Sequence, residues 1–198
     1  MLSVDGFSVR RYFLSDSQKS LNQRLVDYRR FDPDLQHLKR ALNSGKNESR
    51  ALENGVATLL HLLGANTVAP PSTDTPDVIA ETNGKRIALV ECTIRVENLR
   101  EKVGKLVNRR ETFIYDSSNS SSHREVLAIL VVNQPRITIV NEDKYLADNQ
   151  VLLITLEDIN LALVHMEVPQ DLDKLFVEKM QAMRLLIESP FGNLVTQY

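Results

Sequence analysis

The chain has 198 residues, a hydrophobic share of 42%, a charged share of 25% and a formal net charge of −2. These are the proportions of a soluble globular protein large enough for one domain with a real core; they argue against two full domains, and no apolar run approaches the roughly 18 residues of a membrane-spanning helix. A single cysteine, Cys92, rules out an internal disulfide and fits a reducing, cytoplasmic setting, as does an amino terminus without signal-peptide order.

The charge is uneven: residues 1–50 carry ten Lys/Arg against six Asp/Glu (+4), residues 51–139 ten of each (0), and residues 140–198 four against ten (−6). A leading quarter of +4 is a solvated helical surface before it is a phosphate-binding arm, so charge alone neither demands nor excludes nucleic acid. The predicted organisation is a helical leader over 1–47, an α/β core over 48–168 and a carboxyl-terminal helix and tail over 169–198.

In chain order, Ser15 or Asp16 is positioned to cap a helix reaching Arg30, with Leu21, Leu25 and Tyr28 at helical spacing. Pro33 suits the first position of a second helix whose apolar face is Leu35, Leu38 and Leu42, ending at Asn43-Ser44-Gly45. The most regular helix runs from Glu48 to Leu63, with Leu52, Val56, Leu59 and Leu63 on one face and Gly64 as its carboxyl cap. Glu53 stands at the edge of that apolar stripe. A short strand over Asn66–Ala69 follows.

Residues Thr75–Thr93 read as a hairpin with a carboxylate in each strand. Ile87–Val90 is a continuous apolar run, so Glu91 extends a strand buried on both faces, where an unpaired carboxylate is costly. A two-residue turn at Asn83-Gly84 sets Pro76 opposite Glu91, whereas a three-residue loop over Asn83–Lys85 sets Asp77 opposite Glu91 on the same face. The second register lets the two acids share a cation and is preferred.

A helix over Glu97–Phe113 buries Leu99, Val103, Leu106 and Phe113, and carries Asn98, Lys102, Lys105 and Arg109 as a separate polar stripe. That stripe is either a solvated face or a basic surface reaching back over the acids. Asp116–His123 is a serine-rich loop. Glu125–Val132 and Gln150–Thr155 are apolar strands, Arg136–Val140 continues or edges the sheet, and helices occupy Leu156–His165 and Asp171–Glu188. The alternation is that of an α/β domain with a partly parallel sheet.

Asp77 and Glu91 are a ready ligand pair for Mg²⁺, which takes one or two protein carboxylates and keeps waters; Glu53 is a further ligand candidate. The four histidines, His37, His61, His123 and His165, lack metal-ligand spacing, and Cys92 reads as a small buried hydrophobe rather than a nucleophile.

A helix glutamate, Pro76-Asp77, Glu91-Cys92-Thr93 at the end of an apolar strand, and then a basic helix together resemble the PD-(D/E)XK nuclease superfamily, over roughly Glu48–Val164. The resemblance implies a restriction-endonuclease-like αβββαβ core with a mixed central sheet. It implies metal ligation by Asp77, Glu91, the backbone carbonyl of Cys92 and Glu53, with Mg²⁺ as cofactor and Mn²⁺ as substitute. Thr93 occupies the family's lysine position, so the basic group is expected from the next helix, Lys105 first and Lys102 second. Arg109, Lys102 and Asn98 are expected to contact nucleic acid. The expected activity is metal-dependent hydrolysis of DNA, with RNA left open, by a homodimer; the alternative is an inactive nuclease-fold module for nucleic-acid binding or protein assembly.

Overall fold

The computed structural model describes residues 2–4, 7–9, 21–45, 48–72, 74–118 and 124–188. Strands β1 (Leu2–Val4) and β2 (Phe7–Val9) form a small antiparallel pair of their own. Ser15 and Asp16, the predicted caps, lie outside the described residues. The first helix described is the short α1 (Gln23–Tyr28), capped by Asn22, whose side chain accepts a bond from the Leu25 N–H. Asn22 is buried, and its amide donates to the carbonyls of Leu62 at 2.6 Å and Met166 at 2.8 Å, tying the leader to two later helix ends.

Helix α2 (Gln36–Leu42) begins three residues after Pro33. The start is set by Asp32, whose carboxylate accepts from the N–H groups of His37 at 3.3 Å and Leu38 at 3.1 Å, while Leu35 takes the left-handed conformation just before the helix (φ 57). Side-chain capping has thus displaced the proline signal. Helix α3 (Ser49–Leu62) buries Leu52, Val56 and Leu59 as their spacing predicts, and Gly64 leaves it at φ +115, a conformation that favours glycine.

The main sheet follows: β3 (Asn66–Val68), β4 (Val78–Glu81), β5 (Ile87–Thr93), then helix α4 (Leu99–Ser118), β6 (Val126–Val132), helix α5 (Asp143–Asp148), β7 (Val151–Ile154), and helices α6 (Leu156–His165) and α7 (Leu172–Glu188). Its spatial order is β3-β4-β5-β6-β7, antiparallel from β3 to β5 and parallel from β5 to β7. The predicted αβββαβ core with a mixed sheet is what forms. Strand β5 is central and buried at all seven positions, because both its faces are covered. Ala88, Val90 and Cys92 pack with α2, α3 and α7 through Leu38, Leu42, Leu52, Val56 and Phe176. Ile87 and Leu89 pack with Leu99, Val103 and Leu106 of α4.

Two expectations require correction. Helix α4 continues through Ser118, past the loop predicted from Asp116; residues 119–123 lie outside those described. Arg136–Val140 is not a strand but a pair of 3-10 turns, Arg136–Thr138 and Val140–Glu142, leading into the unforeseen α5. Pro135 has no N–H to give a ladder, the Arg136 N–H donates to the Glu157 carboxylate at 3.0 Å, and the Thr138 and Ile139 N–H groups turn back to the Pro135 and Arg136 carbonyls. Among the described residues no helix is long and apolar enough to cross a membrane.

Helix α7 reaches back to the tip of the β4–β5 hairpin. The Asp173 carboxylate accepts from the Thr82 hydroxyl at 2.6 Å, the Gly84 N–H at 2.7 Å and the Arg86 guanidinium at 2.7 Å. A Cβ at position 84 would meet that carboxylate at 2.7 Å, so the latch requires glycine there. Arg86 also donates to Glu125 at 2.6 Å, joining the start of β6 to the same tip.

Candidate active site

The hairpin tip sets the register of the site. The Lys85 N–H donates to the Thr82 carbonyl and the Thr82 N–H to the Arg86 carbonyl, both at 3.0 Å, which leaves Asn83, Gly84 and Lys85 as a three-residue loop. Lys85 takes the left-handed conformation (φ 67), as the last residue of such a loop does. The ladder then pairs Glu81 with Ile87, Ala80 with Ala88, Ile79 with Leu89 and Val78 with Val90. One step beyond its last pair, Asp77 faces Glu91.

Both acids lie on the α4 side of the sheet. Glu91 is 1% exposed. Its Oε2 accepts from the Lys102 Nζ at 2.6 Å, and its Oε1 accepts from the Arg109 guanidinium in a short contact. Asp77 Oδ2 accepts from the Cys92 N–H at 2.8 Å and from the same Lys102 Nζ at 3.2 Å. One ammonium therefore bridges the two carboxylates. In an extended strand the N–H and C=O of a residue point to the same edge, so the Cys92 carbonyl shares the edge on which Asp77 sits.

Helix geometry explains which basic residues converge. Lys102 and Arg109 are seven residues apart, within about 20° of each other around the helix axis and about 10.5 Å apart along it, so one straight line of α4 lies over Glu91. Lys105 sits about 60° away from Lys102. It is the more exposed of the two and pairs with Glu101 at 2.6 Å, so of the two expected lysines it is Lys102 that lies against the acids. Arg109, the residue expected to meet nucleic acid, is placed against Glu91, its side chain only 19% exposed. Asn98 is exposed in the 3-10 turn before α4.

Glu53 is not brought to the pair. It lies on α3, which covers the opposite face of β5, and its carboxylate accepts from Arg50 at 3.0 Å. Among the described residues no group of three or more His, Cys, Asp or Glu side chains is placed to hold a metal ion. Thr93, in the lysine position of the family pattern, uses its hydroxyl locally, donating to the Arg95 carbonyl at 3.0 Å and accepting from the Arg95 N–H at 3.2 Å. It fastens the turn out of β5.

The electrostatics follow from burial. Desolvation pushes the Glu91 carboxyl above the usual glutamate range and the Asp77 charge adds to this, while Lys102 and Arg109 oppose it. For Lys102, desolvation acts to lower the pKa, but the hydrogen bond and charge of Glu91, joined by those of Asp77, overcome it and hold the ammonium above its ordinary value. Burial raises the Cys92 thiol well above its usual range, with the charges of Asp77, Glu53 and Glu91 adding to it, which fits an inert core residue.

The donor set fits a hard divalent cation. Two carboxylates and a strand-edge carbonyl are the oxygen chemistry Mg²⁺ takes, and the acid pair already holds a cationic group between its oxygens. His37, His61 and His165 are outside this cluster.

The helix-flanked mixed sheet is that of the restriction-endonuclease-like fold, as a solved structure of the same architecture shows. No protein-family model and no curated protein sequence matches the chain. Among solved structures, the small subunit of the heterodimeric restriction endonuclease R.BspD6I shares the fold with a TM-score of 0.57 and 12% identity, over 77% of this chain and 89% of that one.

Proposed function

We propose that the protein is a Mg²⁺-dependent endonuclease that hydrolyses DNA phosphodiester bonds, with Asp77 and Glu91 as its acid pair and Lys102 as its catalytic lysine. The observation that carries this reading is the single Lys102 ammonium lying 3.2 Å from Asp77 and 2.6 Å from Glu91. Thr93 cannot carry a charge, and Lys102 brings one to the same acids from the following helix. A bound Mg²⁺, or Mn²⁺ in its place, supplies Lewis-acid stabilisation of the phosphate charge and lowers the pKa of an attacking water. Asp77, Glu91 and the Cys92 carbonyl would hold that ion. Lys102 orients the water or offsets charge developing on the phosphate oxygens, and Asn98, exposed at the mouth of α4, contacts the nucleic-acid backbone.

Each chain contributes one acid pair, and the structural neighbour is itself one subunit of a heterodimeric enzyme. Both points support assembly with a second chain, here a second copy, for cutting two strands. A second reading, a nuclease-fold module that binds without cutting, is favoured by one observation: Lys102 and Arg109 already balance the charges of Asp77 and Glu91.

Nicking of supercoiled plasmid in Mg²⁺ by the native protein and by Glu91→Ala tests the proposal. Nicking by the native protein alone is the expected result. Cleavage that survives the substitution overturns the site, and DNA binding without any cleavage selects the second reading.

A further inference from the structure

We infer that Arg109 is a counter-cation that suppresses metal loading of the acid pair until a nucleic-acid phosphate draws it away from Glu91, so that metal and nucleic acid bind cooperatively. The inference rests on the proposed site and concerns how that site is switched on. Asp77 and Glu91 bring two negative charges, and Lys102 and Arg109 bring two positive ones, so the cluster is formally neutral before any ion enters. Glu91 is engaged on both oxygens, Oε2 by Lys102 and Oε1 by Arg109. A dication approaching this cluster meets two resident cations and a carboxylate with both oxygens already in use.

Lys102 alone does not create that barrier, because a single ammonium leaves a net negative charge and one oxygen of Glu91 for the ion. Arg109 removes both. Its guanidinium is planar and suited to two-point contact with phosphate oxygens, so a phosphodiester entering the site offers it an equivalent partner. Its transfer to phosphate would uncover Oε1 of Glu91 and return a net negative charge to the cluster at the moment substrate is present. By linkage, the factor by which nucleic acid tightens metal binding equals the factor by which metal tightens nucleic-acid binding.

The test counts bound Mn²⁺ from the electron paramagnetic resonance of the unbound ion, for the native protein, Arg109→Gln and Arg109→Lys, with and without a short DNA duplex. Gel analysis of the same samples records whether the duplex is cut. Without duplex, Arg109→Gln is expected to bind Mn²⁺ about tenfold more tightly than the native protein, and the duplex should tighten native binding by about the same factor while leaving the variant nearly unchanged. Arg109→Lys, which keeps the charge but not the two-point contact, should bind Mn²⁺ as weakly as the native protein without duplex and gain less from the duplex. Mn²⁺ should also raise the melting temperature of Arg109→Gln more than that of the native protein, a rescue that loss of packing alone would not produce.

Equal Mn²⁺ affinity in the native protein and Arg109→Gln without duplex overturns the inference, even where the duplex is cut. Coupled binding without any cut duplex upholds it and overturns only the nuclease reading.

Discussion

The β4–β5 hairpin carries a carboxylate cluster at each end, and the two are built to opposite purposes. At the turn, Asp173 is satisfied by a hydroxyl, a backbone N–H and a guanidinium. Burial acts to raise its pKa, but these three donors outweigh burial and bring the carboxyl below its usual range. At the open end, Glu91 has two cationic partners and still sits above the usual range, because desolvation of a nearly fully buried group beside Asp77 exceeds what Lys102 and Arg109 return. A carboxylate that fastens structure is comfortable when ionised. One raised by burial depends on its resident cations to stay ionised, and perturbation of that kind gathers at functional sites.

Substitutions separate the two ends. The largest expected effect is on catalysis at the open end: Asp77→Ala and Glu91→Ala each reduce Mg²⁺-dependent plasmid nicking to background. Retained nicking by either would break the contrast. At the turn, Asp173→Ala is expected to cost about 1–3 kcal/mol of stability by leaving Thr82, Gly84 and Arg86 without their common acceptor, read by urea denaturation. The cleavage rate per folded molecule should not change.

The pH dependence of stability should also diverge in sign. Asp173 has a lowered folded pKa, so its contribution is present above the ordinary aspartate value of 3.8 and is lost as pH falls through the lower folded value. Glu91 has a raised folded pKa, so its contribution is full below the ordinary glutamate value of 4.5 and is lost as pH rises through the higher folded value. Denaturation across this range should show Asp173→Asn flattening the acid limb and Glu91→Gln flattening the limb above it. Both variants altering the same limb would contradict the assignment. The smallest effect is expected at Glu53: with its carboxylate on Arg50 across the sheet from Glu91, Glu53→Ala should change stability by less than about 1 kcal/mol and leave nicking intact.

What the sequence made legible was local. The apolar spacing in α3, the run Ile87–Val90 and the loop Asn83–Lys85 each act through neighbours in the chain, and from them the hairpin register and the facing of Asp77 and Glu91 follow. Rotation of α4 about its own axis was not legible. The stripe Asn98-Lys102-Lys105-Arg109 identifies a face, but only packing of Leu99, Val103 and Leu106 on β5 and β6 decides that the 102–109 line, and not Lys105, lies over Glu91. Lys102 and Arg109 stand at i, i+7, but so do Asn98 and Lys105, and only the first line has a cation at both positions. The Asp173 latch joins residues about ninety positions apart and has no local signature. Asp32 caps α2 from five and six residues back, so Pro33, a start signal in sequence, does not mark the helix start.

Lys102 is proposed to bring to Asp77 and Glu91 the positive charge that Thr93 cannot carry. Single-turnover cleavage of plasmid DNA in Mg²⁺ by Lys102→Met, set beside Lys105→Met, tests it most directly. The account predicts that Lys102→Met slows cleavage by about 10²–10³-fold while Lys105→Met cleaves at the native rate. Equal rates in the two variants, or a loss confined to Lys105→Met, would contradict it.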